Sequence, residues 1–172
     1  MKKLLIFLFS FLISFNSYGL FEKTVCVEND TVKTGGITYL PNETKPFTGK
    51  NICEFLNGQF KSKGKYKDGK KDDHWIEWNM TGQILSDLNY KDGKLVGETK
   101  YDYHSNGHKF KEIISTNGKK KHTFWHENGQ KHIEGNYKDG KEEGEWLYYH
   151  ENGELQKTRI FKNGEITKSI DH

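Results

Sequence analysis

The stretch Glu142-Glu143-Gly144-Glu145-Trp146-Leu147-Tyr148-Tyr149-His150-Glu151-Asn152-Gly153-Glu154-Leu155-Gln156-Lys157-Thr158-Arg159-Ile160-Phe161-Lys162-Asn163-Gly164 contains two strand-length segments, each ending in Asn-Gly. That dipeptide favours the type I′ turn, which needs positive φ at both central residues and matches the twist of antiparallel strands. The segment therefore reads as consecutive β-hairpins. Its two glycines, Gly153 and Gly164, stand eleven residues apart.

The same interval separates Gly58 from Gly69, Gly82 from Gly93, Gly107 from Gly118 and Gly129 from Gly140, while successive units repeat every 24, 25, 22 and 24 residues. A period in this range marks an array of small units, none able to bury its apolar face alone. One row of turns comprises Asn57-Gly58, Asn106-Gly107, Asn128-Gly129 and Asn152-Gly153. The other comprises Asp68-Gly69, Asp92-Gly93, Asn117-Gly118, Asp139-Gly140 and Asn163-Gly164. All are expected to be type I′. Turns on alternate edges predict an all-β fold, an elongated single-layer antiparallel meander of about ten or eleven strands.

Aligned on the first glycine, the units expose columns. Four residues before it come Trp78, Tyr103, Trp125 and Tyr149; eight after it come Tyr66, Tyr90, Ser115, Tyr137 and Phe161. Such columns predict aromatic ladders across strands, interrupted at Ser115. A third column holds Gly49, Gly97 and Gly144, with Asp73 replacing glycine once, and predicts bulges or close backbone approaches. The window Lys119–Trp125 lacks two residues and that glycine, so a local irregularity is expected near His122.

The motif Lys138-Asp139-Gly140-Lys141-x-x-Gly144-x-Trp146, followed by Tyr149-x-x-Asn152-Gly153, resembles the variant form of the membrane occupation and recognition nexus (MORN) repeat. The opening Pro46-Phe47-Thr48-Gly49-Lys50 is similar to the start of bacterial arrays of this kind, including those labelled YwqK-family antitoxins. The resemblance spans residues 39–168 as five degenerate repeats. It implies a grooved β-meander that binds proteins or lipid surfaces, and no enzymatic activity.

Residues 1–19, MKKLLIFLFSFLISFNSYG, pair two lysines with an apolar run and small residues before Leu20. This is the pattern of a signal peptide cleaved near Gly19, which predicts a periplasmic or secreted protein; an uncleaved anchor is the alternative. Residues 20–38 then form an N-terminal cap segment and residues 169–172 a C-terminal tail. Loss of Lys2 and Lys3 lowers the formal charge from +3 to +1, which removes any electrostatic case for nucleic acid. The aromatic residues, 11 Phe, 9 Tyr and 4 Trp, are expected to supply the packing that sparse aliphatic residues do not.

The two cysteines, Cys26 and Cys53, are expected to pair in an exported chain and to staple the cap to the first strand of the array; two free thiols are the alternative. His122 and His126 lie on one strand, ~13 Å apart, too far to share a metal. His104, His126 and His150 form a column through alternate strands, also too widely spaced for shared ligation, and are expected at the surface or an edge. No metal or cofactor site is predicted. Recurring Glu127, Glu142, Glu143, Glu145 and Glu151 with Lys67, Lys91, Lys138 and Lys162 suggest cross-strand charge pairing. Repetition of like residues in open rows, without a phosphate loop, HExxH or nucleophile elbow, argues against an enzyme.

Trp75, Trp78, Tyr103, Trp125, Trp146 and Tyr149 are either packing residues or an interaction surface. The sequence thus predicts an exported, non-enzymatic module that binds an unknown protein partner in the cell envelope. Neutralisation of a toxin is the alternative, and association with a lipid surface or a glycan a further one.

Overall fold

The computed structural model describes residues 22–172. The signal-peptide expectation, including cleavage near Gly19, lies outside those residues. Strands β1 (Thr24–Val25), β2 (Val32–Thr34) and β3 (Ile37–Tyr39), with the single-turn helix α1 (Val27–Asp30), make the N-terminal segment. The array follows as β4 (Gly49–Glu54), β5 (Phe60–Lys67), β6 (Lys70–Trp78), β7 (Ile84–Lys91), β8 (Lys94–Tyr103), β9 (Lys109–Thr116), β10 (Lys119–Trp125), β11 (Lys131–Lys138), β12 (Lys141–Tyr149), β13 (Leu155–Lys162) and β14 (Glu165–Asp171).

Strands β4 to β14 pair in sequence order, each antiparallel to the next, so the expected meander has eleven antiparallel strands in one open layer. Strand β1 extends the sheet as a parallel neighbour of β4. Strand β14 runs to Asp171, so the tail expected at 169–172 is mostly ladder: Ser169, Ile170 and Asp171 oppose Arg159, Thr158 and Lys157.

The first edge is capped. Cys26 and Cys53 are joined by a disulfide. The backbone of Val27 donates to buried Asn51 Oδ1 at 2.9 Å, and Asn51 Nδ2 donates to Ser62 Oγ at 3.0 Å. Across the Asp68-Gly69 turn, Thr38 N donates to Gly69 O at 3.0 Å and Gly69 N donates to Phe47 O at 2.8 Å. Phe47 and Cys53 beneath the cap are among the most buried side chains. Among the described residues nothing pairs with the outer edge of β14.

The two rows of turns differ, which corrects the expectation that all are type I′. Asp68, Asp92, Asn117, Asp139 and Asn163 have φ between 49° and 53°, each followed by a positive-φ glycine, so this row is type I′. In the other row only the glycines have positive φ. There Asn57, Asn106, Asn128 and Asn152 accept a hydrogen bond from the backbone N–H two residues on, at 2.9–3.1 Å. These are Asx turns ending in an αL glycine, and each is followed by a bulge. The register slips at the same place in all five hairpins, leaving Lys61, Leu85, Phe110, His132 and Gln156 without a partner.

The short strand β10 also behaves differently from the expected irregularity. In β5–β6 and β11–β12 one glycine, Gly64 or Gly135, faces three residues, Asp73–Trp75 or Gly144–Trp146. The β9–β10 ladder has no shift at all, so the two missing residues are those that form the bulge elsewhere. The glycine column serves two purposes: Asp73 (φ 62°) and Gly144 (φ 77°) supply αL bulge positions, whereas a Cβ at Gly49 would meet Phe47 Cζ at 2.7 Å.

Candidate functional site: the two faces of one sheet

Alternation along the strands, counted through the bulges, sorts the side chains onto two faces. Ser62, Glu77, Ser86, Lys100, Ile113, His122 and Gly135 stand opposite one another across β5 to β11 and define the first face. Ile52, Lys63, Ile76, Asp87, Thr99, Ile114, Lys121 and Asn136 define the second.

The first face carries the ring packing. Phe47, Tyr66, Trp75 and Tyr90 form a chain with centroid spacings of 5.9, 5.2 and 6.3 Å. His122, Tyr137, Trp146 and Phe161 form a second, at 4.5, 5.2 and 5.7 Å. The expected ladder is therefore two clusters, separated where Ser115 stands in the ring column. Trp75 and Trp146 are only 2% and 6% exposed. Each indole covers a glycine, Gly64 or Gly135, and donates from Nε1 to a strand carbonyl, Lys65 O at 3.1 Å or Asn136 O at 3.2 Å. These two tryptophans are packing residues and leave the candidate interaction surface. Lys71 lies 4.1 Å from the centre of the Trp75 ring, and burial pulls its ammonium below the usual lysine range.

Trp78, Tyr103, Trp125 and Tyr149 occupy the second face in one row and are half-buried. Tyr103 OH donates to Ile84 O at 2.8 Å, and Tyr149 OH donates to Glu134 at 3.0 Å. Lys109 Nζ sits 5.3 and 4.9 Å from the Tyr101 and Trp125 ring centres. Glu134 also accepts from Lys131 at 3.0 Å and lies 3.1 Å from Lys121 Nζ. Burial pushes its carboxyl up, but these donors outweigh burial and hold it below the usual glutamate value.

The histidine column has a structural task not expected from sequence. His104 and His126 are half-buried, with Nε2 at 2.9 Å from Trp125 O and 3.1 Å from Tyr149 O, tying each loop to the next. The Asn-Gly row does the same: Asn57, Asn106 and Asn128 donate from Nδ2 to Met80 O, Glu127 O and Glu151 O at 2.6–3.0 Å. His150 remains exposed. Among the described residues no group of three or more His, Cys, Asp or Glu side chains is placed to hold a metal ion. Among the described residues ion pairs form through other lysines, such as Lys65 with Asp73 and Lys121 with Glu134. Lys67, Lys91 and Lys138 stand opposite Lys70, Lys94 and Lys141 beside the type I′ turns, and Lys162 stands opposite Glu165.

A concavity with an apolar floor lies on the second face near the capped end. It is an open groove of about 380 Å³ above Ile52, Ile76 and Trp78, rimmed by Lys50, Lys63, Lys65 and His74, with Asp73 as the one carboxylate of its lining. Of these residues the sequence columns singled out only Trp78. The position occupied by Lys63 reads Lys63, Asp87, Glu112, Glu134 and Thr158 through the units, a carboxylate in the three middle units and lysine only in the first.

The model of the family described as MORN repeat variant matches residues 120–139 and 142–163. The match falls on strands β10 to β13. No curated protein matches the chain. Among solved structures it is similar to a chain of "Crystal structure of GtfA/B complex bound to UDP and GlcNAc", at 13% identity and a TM-score of 0.24, over 84% of this chain. The chain spans 27% of the length of that one.

Proposed function

We propose that this protein is a non-enzymatic repeat module that binds another protein through the second face of its sheet, acting in the cell envelope after export directed by residues 1–19. The observation that carries this reading is the row Trp78, Tyr103, Trp125 and Tyr149. These rings, both tryptophans of the row included, are half-exposed on a sheet with no second layer among the described residues, while Trp75 and Trp146 of the opposite face are buried at the centres of ring clusters flanked by half-exposed tyrosines. Aromatic side chains provide much of the energy of protein interfaces. The MORN-type repeats are compatible with this use, and the disulfide accords with an oxidising compartment.

The finer resemblance, to the YwqK-family antitoxin-like arrays, makes a toxin acting outside the cytoplasm the first partner to test. The experiment is affinity capture from the native envelope with the wild-type chain and with a Trp78→Ser/Trp125→Ser variant that retains its fold. A partner retained by the first and lost by the second supports the proposal. Catalytic turnover by the purified protein, with no partner recovered, would overturn it.

A further inference from the structure

The two double-residue bulges create the same local architecture twice. In one, Ile52, Lys63 and Ile76 lie directly opposite across β4, β5 and β6; in the other, Thr123, Glu134 and Leu147 do so across β10, β11 and β12. Lys50 and Trp78 correspond in position to Lys121 and Tyr149. The second copy is satisfied from within: the Glu134 carboxylate accepts from Lys121, Lys131 and Tyr149. The first has lysine where that glutamate stands.

Lys63 has its ammonium 3.1 Å from the centre of the Phe60 ring, and it has no ion-pair partner among the described residues. Beside it, Lys50 and Lys65 oppose each other directly across the ladder, an arrangement of like charges that destabilises a sheet. Their acidic neighbours are exposed: Glu22 lies 3.2 Å from Lys50 and Asp73 lies 3.6 Å from Lys65. Exposed pairs of this kind contribute little and exchange readily. The groove between these lysines has an apolar floor of Ile52, Ile76 and Trp78.

From this pairing of a self-satisfied slot with an unsatisfied one, we infer that the groove over Ile52 and Ile76 binds an acidic segment of a partner protein. A carboxylate of the segment takes the place that Glu134 fills in the other copy, between Lys50, Lys63 and Lys65. An adjacent apolar side chain rests on Ile76 and Trp78. The charge of the rim selects carboxylates, and the floor selects a segment in which acidic and apolar residues alternate. This inference rests on the proposed protein-binding role and specifies the partner's chemistry.

The test uses the disulfide-bonded chain and a fluorescein-labelled peptide, acetyl-Glu-Leu-Glu-Leu-Glu-amide, read by anisotropy. Its glutamine counterpart and vesicles of anionic phosphatidylglycerol are run in parallel. Saturable binding of the acidic peptide is expected, weakened at least tenfold by Lys63→Glu and left unchanged by Lys138→Glu on a distant strand. Lys63→Glu also recreates the internal carboxylate, so its melting temperature is expected to rise, which separates lost binding from lost folding.

Equal binding of the glutamine peptide, binding insensitive to Lys63→Glu, or loss of vesicle binding in that variant without any peptide binding would overturn the inference. If peptide binding fails while envelope capture still depends on Trp78 and Trp125, the acidic-segment inference falls and the protein-binding role stands.

Discussion

The indole of Trp75 covers Gly64 so closely that any side chain on that glycine would enter the ring. Trp146 and Gly135 repeat the arrangement with the same edge-on tyrosine, Tyr66 or Tyr137, at 5.2 Å. Each pair is the centre of a ring cluster in a sheet that has no second layer among the described residues to supply a core. Gly64→Ala and Gly135→Ala are each expected to cost about 1–3 kcal/mol by overpacking. Urea unfolding followed by tryptophan fluorescence measures this; an unchanged midpoint would show that the rings are not fixed by the glycine.

Asn128 bonds both within its loop, to Gln130 N at 2.9 Å, and to the next loop, at Glu151 O. Asn152 makes the first type of bond, to Glu154 N, but its Nδ2 reaches only the exposed Glu154 side chain. Asn128→Ala is therefore expected to destabilise by about 1–2 kcal/mol and more than Asn152→Ala, since it removes a backbone-directed link between repeats. Equal losses in chemical denaturation would assign the effect to the turn alone.

Opening the Cys26–Cys53 bridge loosens β1 and α1, which otherwise hold to the array through the two strand positions Thr24 and Val25 and the bond from Val27 N to Asn51 Oδ1. The loop-entropy model gives the bridge about 3–4 kcal/mol. Under reducing conditions, hydrogen exchange is expected to accelerate over β1 and α1 while β11 to β13 stay protected. Uniform acceleration along the chain would instead place the bridge in the folding of the whole array.

His122 occupies the place of Trp75 and Trp146 in its unit. Burial lowers its imidazole below the usual 6.5, and Lys111 and Lys120 lower it further. The unfolded chain therefore binds the proton more readily. This group's stabilisation is full above the unfolded value and is lost as pH falls from there through the lowered folded value. The wild type should lose more stability between pH 7 and 5 than His122→Phe, and parallel melting curves for the two would contradict the assignment.

The eleven-residue glycine interval specified the strands, and the column ending at Phe161 specified one face of rings. What stayed hidden depends on contacts between repeats. Asn57-Gly58 and Asn163-Gly164 are the same dipeptide, yet only Asn163 takes positive φ, because Asn57 uses its side chain to close the loop and reach Met80 O. Trp75 and Trp78 are three residues apart on one strand and so face opposite ways, one buried and one half-exposed. Composition alone treats them alike. The groove around Lys63 depends on pairing of β4, β5 and β6, which brings Ile52 and Ile76 to either side of a lysine in a column that is acidic in the three middle units.

Quantitative capture from the native envelope compares the wild type with Trp78→Ser/Trp125→Ser and with Trp75→Phe, which keeps a packing ring on the other face. A protein-binding second face predicts one partner retained equally by wild type and Trp75→Phe and lost from the double variant. Equal recovery by all three, with the double variant still folded by circular dichroism, would contradict it.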